Sequence, residues 1–206
     1  MYMRLFFAML VAYLIGSIPT GYLFGKMVKK TDIRKQGSGN VGATNVFRVI
    51  GKIPALITLI VDMAKGAFVV SVGARSLYHH AMPLEFYPFV LVLGICVLAG
   101  HNWPVFLDFK GGKGVATGAG IIFILSPELL FIGISCWIIL FALTRVVSFS
   151  SVVATIAVAA ASYYFQYPGE LRVFLIIVWA IIFFKHRSNI ERLIRKQEHG
   201  FRGYNT

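Results

Sequence analysis

Seven long apolar stretches limit what this chain of 206 residues can fold into. A helix that crosses a bilayer needs about 20 predominantly apolar residues, so seven crossings would use almost the whole chain. Only 14% of the residues are charged, whereas roughly a quarter are charged in soluble domains. We therefore expect an all-α integral membrane protein with seven transmembrane helices and a single membrane-embedded domain, residues 1–206. The stretches lie at about 3–25, 53–73, 86–100, 115–126, 128–144, 149–166 and 171–184.

The fourth stretch, residues 115–126, is the least typical of a membrane-spanning helix. A run of this length is too short to cross about 30 Å of hydrocarbon as a helix, which rises about 1.5 Å per residue. Either the helix extends back into the glycine-rich segment before it, or it lies where the bilayer is thinned or where protein surrounds it. The sequence leaves both alternatives open.

The distribution of basic residues predicts the orientation in the membrane. The chain has 20 Lys and Arg against 8 Asp and Glu, which gives a net charge of +12. With the N-terminus outside, 16 of those 20 fall in segments 26–52, 101–114, 145–148 and 185–206, while the outer loops contain only Arg75. Cytoplasmic loops carry such an excess, so we expect the N-terminus outside, the C-terminus in the cytoplasm and any chemistry on the cytoplasmic face. The aromatic residues lie mostly in the apolar stretches, which argues against a nucleic-acid partner.

The first polar motif on this face, residues 37–48, is rich in glycine and hydrogen-bond donors. Glycine allows the backbone N–H groups to approach an anion closely, and a helix that starts within the motif would add partial positive charge. Arg48 would add a planar fork that matches phosphate. The motif lacks the Gly-Lys-Ser/Thr ending of a Walker A loop. The alternative is a flexible polar loop with helix-capping residues. The candidate donor side chains are Ser38, Asn40, Thr44 and Asn45.

The second motif, residues 100–117, combines lysines with glycines. Lys110 and Lys113 flank two glycines, and Thr117 follows one helical turn after Lys113. Backbone N–H groups beside a point charge suit an anion. The alternative is that both lysines only follow the positive-inside rule. His101 has no suitably spaced His or Cys partner for a metal site, so we expect it to cap a helix or bond a carbonyl.

The third motif, residues 185–192, follows the last apolar stretch. His186 and Asn189 are three residues apart and would share one helical face. An amphipathic tail on anionic lipid is the alternative, which we prefer for Arg192, Arg195 and Lys196.

Two charged residues, Asp62 and Lys65, lie inside the second apolar stretch. Their spacing allows them to pair, and charges within a span usually face the interior of the bundle. A structural ion pair and a direct catalytic role both remain open.

Together the three motifs resemble the acyl-phosphate-dependent glycerol-3-phosphate acyltransferase family of bacteria (the PlsY family). The resemblance covers essentially the whole chain and depends on residues 37–45, on Gly100-His101 with residues 109–117, and on residues 186–190. It implies a seven-helix enzyme of the inner membrane that moves a fatty acyl group from acyl phosphate to the 1-hydroxyl of sn-glycerol 3-phosphate. The products would be lysophosphatidic acid and inorganic phosphate, in the first acylation of phospholipid biosynthesis.

The resemblance also implies roles for individual residues. Ser38, His186 and Asn189 would be catalytic, without a cofactor or metal. Either the departing phosphate or His186 would accept the proton of the attacking hydroxyl. Partners would be the two substrates, membrane lipid and, transiently, a soluble enzyme that forms acyl phosphate. The implied substrate-binding residues are Asn40, Thr44, Asn45, Arg48, Lys110, Gly112, Lys113, Gly114, Thr117 and Arg187.

Two other functions are weaker alternatives. A carrier for phosphate-bearing ions would need polar groups near the membrane midplane, where only Asp62 and Lys65 lie, and it would show inverted halves. A CDP-alcohol phosphotransferase would need several aspartates that hold a divalent metal, whereas the three aspartates of this chain are far apart in sequence.

Overall fold

The computed structural model describes residues 2–80 and 82–198, and this part of the chain contains α-helices and no β-strand. Arg202, one of the basic residues of the predicted cytoplasmic tail, lies outside the described residues. The helices are α1 (Tyr2–Ser17), α2 (Thr20–Lys29), α3 (Ala43–Val49), α4 (Lys52–Phe68), α5 (Ala74–Leu77), α6 (Phe86–Asn102), α7 (Val115–Leu125), α8 (Pro127–Thr144), α9 (Val147–Tyr164), α10 (Gly169–Lys185) and α11 (Arg187–Ile194).

Five helical segments of the described chain are long and apolar enough to cross a membrane. A sixth is obtained if α10 and α11, which meet at an angle of 57°, count as one span. The all-helical membrane class is therefore confirmed, while seven crossings and the placement of the termini stay predictions. The five segments are Tyr2–Lys29, Lys52–Leu77, Phe86–Leu107, Pro127–Thr144 and Val147–Tyr164.

The start of the short helix α7 distinguishes between the two alternatives for the fourth apolar stretch. It begins at Val115, and the glycine-rich residues 110–114 before it are not helical. The helix therefore does not extend back into that segment. It packs along α4 instead, which favours the alternative in which protein surrounds a short helix.

Internal contacts divide the chain into two compact units, Met1–Leu125 and Ser126–Thr206. The first unit contains α1 to α7 with the first two motifs, and α6 supplies its buried centre through Phe89, Leu93 and Leu98. The second unit contains α8 to α11 with the third motif. The single domain expected for residues 1–206 stays a prediction.

Glycines allow two helix pairs of the first unit to approach closely. On α1 and α6, and again on α4 and α7, a Cβ added to the glycine would overlap a backbone carbonyl of the facing helix. Small residues at such crossings are typical of membrane helices, and the prediction of close glycine packing is confirmed there. The four glycines are Gly16, Gly100, Gly66 and Gly120.

A buried ion pair lies beside the break in the first span. Pro19 separates α1 from α2 because proline lacks an N–H and its ring clashes with the preceding turn. Lys65 Nζ on α4 donates to the carbonyl of Ile18 at 3.4 Å and pairs with Asp62 Oδ1 at 2.9 Å. The hydroxyl of Thr20 donates to the same carboxylate oxygen at 3.3 Å. The predicted pairing of Asp62 with Lys65 is thus confirmed.

This ion pair predicts a specific pattern of stability. Asp62→Leu or Lys65→Met alone leaves one buried charge uncompensated, which should lower the free energy of unfolding by about 3–5 kcal/mol. The double variant removes both charges and should recover most of that loss. Thermal unfolding in detergent measures the difference, and a double variant as unstable as the sum of the two single variants would contradict the pairing.

Candidate functional site

The first motif forms a loop that ends in the short helix α3. Gly37 and Gly39 adopt left-handed backbone conformations, with φ of 57° and 71°, which favour glycine over residues that carry a Cβ. A Cβ at Gly37 would also overlap the side-chain oxygen of Asn45. The glycines are thus required by the loop's own shape.

Asn45 holds this loop together through its side-chain amide. Its Nδ2 donates to the carbonyls of Ile33, Gln36 and Asn40 at 2.8–3.2 Å, and its Oδ1 accepts from Ser38 N at 2.9 Å. The side chain is buried. A direct contact between this amide and substrate would require it to give up one of these bonds, so Asn45 acts on the conformation of the loop.

The other candidate residues of the first motif are more accessible. Ser38 is exposed, and Thr44 and Arg48 are partly buried one turn apart on α3. Asn40 Oδ1 accepts from Gly42 N at 2.8 Å just before α3 begins. The structure therefore keeps the Ser38 hydroxyl and the Arg48 face of α3 at the surface of one ordered loop.

An ion pair stabilises the segment that precedes this loop. Arg34 donates to both carboxylate oxygens of Asp32, at 2.8 Å for the shortest bond, and its guanidinium lies over the ring of Tyr22. The hydrogen bond from Arg34 lowers the pKa of Asp32 to about 2. Arg34 Nη1 also lies 3.9 Å from Asp108 of the second motif, so this pair links the first two motifs.

The second motif leaves α6 as a compact loop. Asp108 and Phe109 both have left-handed φ, 51° and 60°, and Phe109 N donates to the carbonyl of Pro104 at 3.0 Å. The hydroxyl of Tyr13 on α1 donates to the carbonyl of Trp103 at 2.7 Å. These contacts turn the chain back towards the end of α6.

The glycines of the second motif pack on His101 at that helix end. Gly112 N donates to the His101 carbonyl at 3.0 Å, and a Cβ at Gly112 would overlap the imidazole ring. Gly114 is left-handed, with φ of 85°. The expectation that the His101 side chain caps a helix or bonds a carbonyl stays a prediction, because this bond involves only the His101 backbone.

The basic and hydroxyl groups of the second motif differ in exposure. Lys110 is exposed, and Lys113 is partly buried beside Gly112. Thr117 is fully buried in α7, and its hydroxyl has no hydrogen-bond partner among the described residues. Lys113 is therefore the lysine that lies beside the glycines packed on His101, and Thr117 follows one helical turn later in α7.

The third motif lies in the second unit at the bend between α10 and α11. His186 Nδ1 lies 2.8 Å from the Ile182 carbonyl. A carbonyl oxygen only accepts, so Nδ1 carries the hydrogen of this bond. Asn189 N donates to the His186 carbonyl at 2.9 Å. Both side chains are buried.

Glu198 accepts a hydrogen bond from Asn189, a contact that the sequence did not predict. Its Oε1 accepts from Asn189 Nδ2 at 2.6 Å and from the Ser148 hydroxyl at 2.9 Å, and its Oε2 accepts from Arg192 Nε at 2.9 Å. Burial alone would raise the pKa of Glu198, but the hydrogen bonds from these three side chains outweigh it and lower the pKa. An acidic residue near the end of a strongly basic tail was the available signal.

The two arginines of the third motif make different contacts. Arg192, expected to lie on lipid, pairs with Glu198 instead and thereby reaches the same carboxylate as Asn189. Arg187 lies over the ring of Phe184 and donates to its carbonyl at 3.3 Å. Arg187 thus remains at the surface, whereas Arg192 is paired with Glu198.

The geometry of the first unit suits phosphate. Two glycine-rich loops carry the side chains of Ser38, Arg48 and Lys113, and the first loop also exposes its backbone at Gly37 and Gly39. Such loops bind anions through N–H groups and fixed cations. The second unit contains the buried His186, whose Nδ1 bonds the Ile182 carbonyl, and an asparagine oriented by a carboxylate.

Comparisons with known proteins agree with this chemistry. The profile of the family described as glycerol-3-phosphate acyltransferase matches residues 6–196. A glycerol-3-phosphate acyltransferase of Desulforamulus reducens is 42% identical over 187 residues, which cover 91% of this chain and 90% of the relative. One of Aquifex aeolicus is 37% identical over 199 residues, covering 97% and 100%.

Solved structures share the fold. A crystal structure of PlsY, an integral membrane glycerol 3-phosphate acyltransferase, in its glycerol 3-phosphate form has a TM-score of 0.86 and 36% identity, covering 95% of this chain and 94% of that one. Its lysophosphatidic acid form gives a TM-score of 0.83 at 35% identity, with the same coverage. The chain therefore belongs to the glycerol-3-phosphate acyltransferase (PlsY) family of integral membrane enzymes.

Proposed function

We propose that this acyltransferase uses acyl phosphate as its donor and acylates the 1-hydroxyl of sn-glycerol 3-phosphate. Both substrates are then phosphate anions, and the single observation that supports this best is the pair of glycine-rich, basic loops in the first unit. The related structures in glycerol 3-phosphate and lysophosphatidic acid forms support the acceptor and the product. The reaction would lie on the cytoplasmic face of the inner membrane, in agreement with the charge distribution.

The proposed step needs no protein nucleophile and no metal. The 1-hydroxyl oxygen attacks the carbonyl carbon of acyl phosphate, the ester C–O bond forms, and the bond from that carbon to the phosphate oxygen breaks. The leaving phosphate takes the hydroxyl proton, so the products are lysophosphatidic acid and inorganic phosphate. Because acyl phosphate is already activated, positioning and charge stabilisation supply most of the catalysis.

The proposed residue roles follow from the family resemblance. Arg48 and Lys113 would bind phosphate, and Ser38 would contact glycerol 3-phosphate. His186 and Asn189 would contact glycerol 3-phosphate or align its hydroxyl. Other proposed contacts with substrate are Asn40, Thr44, Lys110, Gly112, Gly114, Thr117 and Arg187.

A donor comparison tests the proposed reaction. Purified protein receives labelled glycerol 3-phosphate with either palmitoyl phosphate or palmitoyl-CoA, each with and without EDTA. We expect equal amounts of lysophosphatidate and inorganic phosphate from palmitoyl phosphate alone, unchanged by EDTA. Equal rates from the thioester would contradict substrate assistance, and loss of activity in EDTA would contradict the metal-free step.

Substitution of the two phosphate-binding cations tests the loops. A charge-assisted hydrogen bond contributes about 1.5–3 kcal/mol, so Arg48→Ala and Lys113→Ala should each lower kcat/KM by roughly tenfold to a hundredfold. Steady-state assays with each substrate varied in turn measure the loss. Lys29→Ala, an exposed lysine at the end of α2, is the matched control and should stay near wild type. Equal losses in all three variants would indicate a general charge effect.

We expect Glu198 to affect turnover by orienting the side chain of Asn189. Glu198→Ala removes the acceptor and should lower turnover by about tenfold, whereas Glu198→Gln keeps an oxygen and should lower it less. Since its pKa is lowered in the fold, the carboxylate's stabilising effect is complete above its unfolded pKa of about 4.3 and is lost only as pH falls through the folded value. The deficits measured in kinetic assays should therefore be constant between about pH 6 and 8. A wild-type turnover in Glu198→Ala would contradict this role.

A further inference from the structure

We propose that Asp62, Lys65 and His101 form a positioning unit that fixes the second loop, residues 110–114, in its phosphate-binding shape. The inference rests on the proposed function of that loop and adds three residues that touch neither substrate. All three side chains are buried, and they come from two helices, α4 and α6. They are positioning residues and take no part in proton transfer.

The ion pair of Asp62 and Lys65 lies next to the ring of His101. Asp62 Oδ1 lies 2.9 Å from Lys65 Nζ and 3.7 Å from His101 Nδ1. In a buried site a carboxylate at that distance attracts the positive edge of the imidazole. Lys65 is itself held by the Ile18 carbonyl at the Pro19 break. The ring of His101 therefore has a fixed electrostatic partner on one edge.

His101 in turn contacts the second loop. The opposite edge of the ring, at Nε2, lies against Gly112, where a Cβ would overlap it. The His101 carbonyl accepts from Gly112 N at 3.0 Å, and a Cβ at Gly111 would overlap that carbonyl and Pro104. The loop thus contacts His101 through both ring and backbone, one residue before Lys113.

The positioning unit of Asp62, Lys65 and His101 lies next to residues of both the first and the second motif. A small cavity is lined by the cluster, by Val41 of the first motif and by Pro104 of the second. Close packing transmits small displacements, because interiors have few voids. A shift of the His101 ring should therefore move the loop backbone, and an error of about 1 Å in a substrate-positioning group can cost about a hundredfold in rate.

A double-mutant cycle between His101 and Gly112 tests the proposal. Gly112→Ala should lower kcat/KM by about a hundredfold, mainly through KM, because its methyl group displaces the ring. His101→Ala should lower it by about tenfold. The double variant should lie within about threefold of His101→Ala, since the methyl group then has room. Losses that multiply in the double variant would overturn the proposal, because Gly112 and His101 would then act independently of each other.

A second readout does not depend on activity. Hydrogen exchange of residues 103–117 in the full-length protein without substrate should be roughly tenfold faster in His101→Ala and Gly112→Ala. Asp62→Leu with Lys65→Met should also speed this exchange while the Tm stays near wild type, because His101 loses its acidic partner. Unchanged exchange in these variants would overturn the positioning role, whatever substrate the enzyme uses. A wild-type protein without acyl transfer would overturn the proposed function alone.

Matched controls separate this effect from general destabilisation. Gly169→Ala adds a methyl group where no atom lies within 4 Å, and His80→Ala removes an exposed histidine. Both should leave kinetics and exchange unchanged. Exchange of residues 147–164 should match wild type in every variant and reports an intact fold. If His101→Ala unfolds, His101→Gln, which keeps a polar group near Asp62 without the ring, replaces it in the same cycle with the same expected pattern.

Discussion

The buried pair of Asp62 and Lys65 is the interaction on which the polar part of the first unit depends. Charges inside a membrane helix are costly unless they are paired and face the protein. Here the pair also satisfies the Ile18 carbonyl beside the Pro19 break and faces His101 at the end of α6. One electrostatic contact thus joins the places where α1, α4 and α6 meet beneath the two glycine-rich loops.

Glycine serves two separate purposes in this chain. Within the spans it lets helices approach until backbone meets backbone, as at Gly16 and Gly120. In the loops it supplies left-handed turns, as at Gly37 and Gly114. The first use allows close helix packing, and the second gives the polar loops their shape.

The helical membrane class, the Asp62–Lys65 pair and the glycine packing could be predicted because each depends on local spacing or composition. The roles of Asn45 and Arg192 could not. Both side chains are polar and well placed for a ligand or lipid, but each is engaged by a group several residues away, Asn45 by loop carbonyls and Arg192 by Glu198. The spacing of residues along one helix cannot predict a contact with a segment that lies outside that helix.

The same limit applies to His186. Its sequence spacing from Asn189 indicated a shared face, but only the structure shows that Nδ1 of this ring bonds the Ile182 carbonyl. In the proposed mechanism the leaving phosphate, and not His186, takes the proton of the acceptor hydroxyl.

The most direct test of that mechanism is the pH dependence of kcat/KM for His186→Ala compared with wild type. An imidazole base would give a rise near its usual pKa of about 6.5 that disappears in the variant. Substrate assistance predicts a lower rate with an unchanged pH profile, since the group that takes the proton arrives with the donor. A profile that loses its rise when His186 is removed would contradict it.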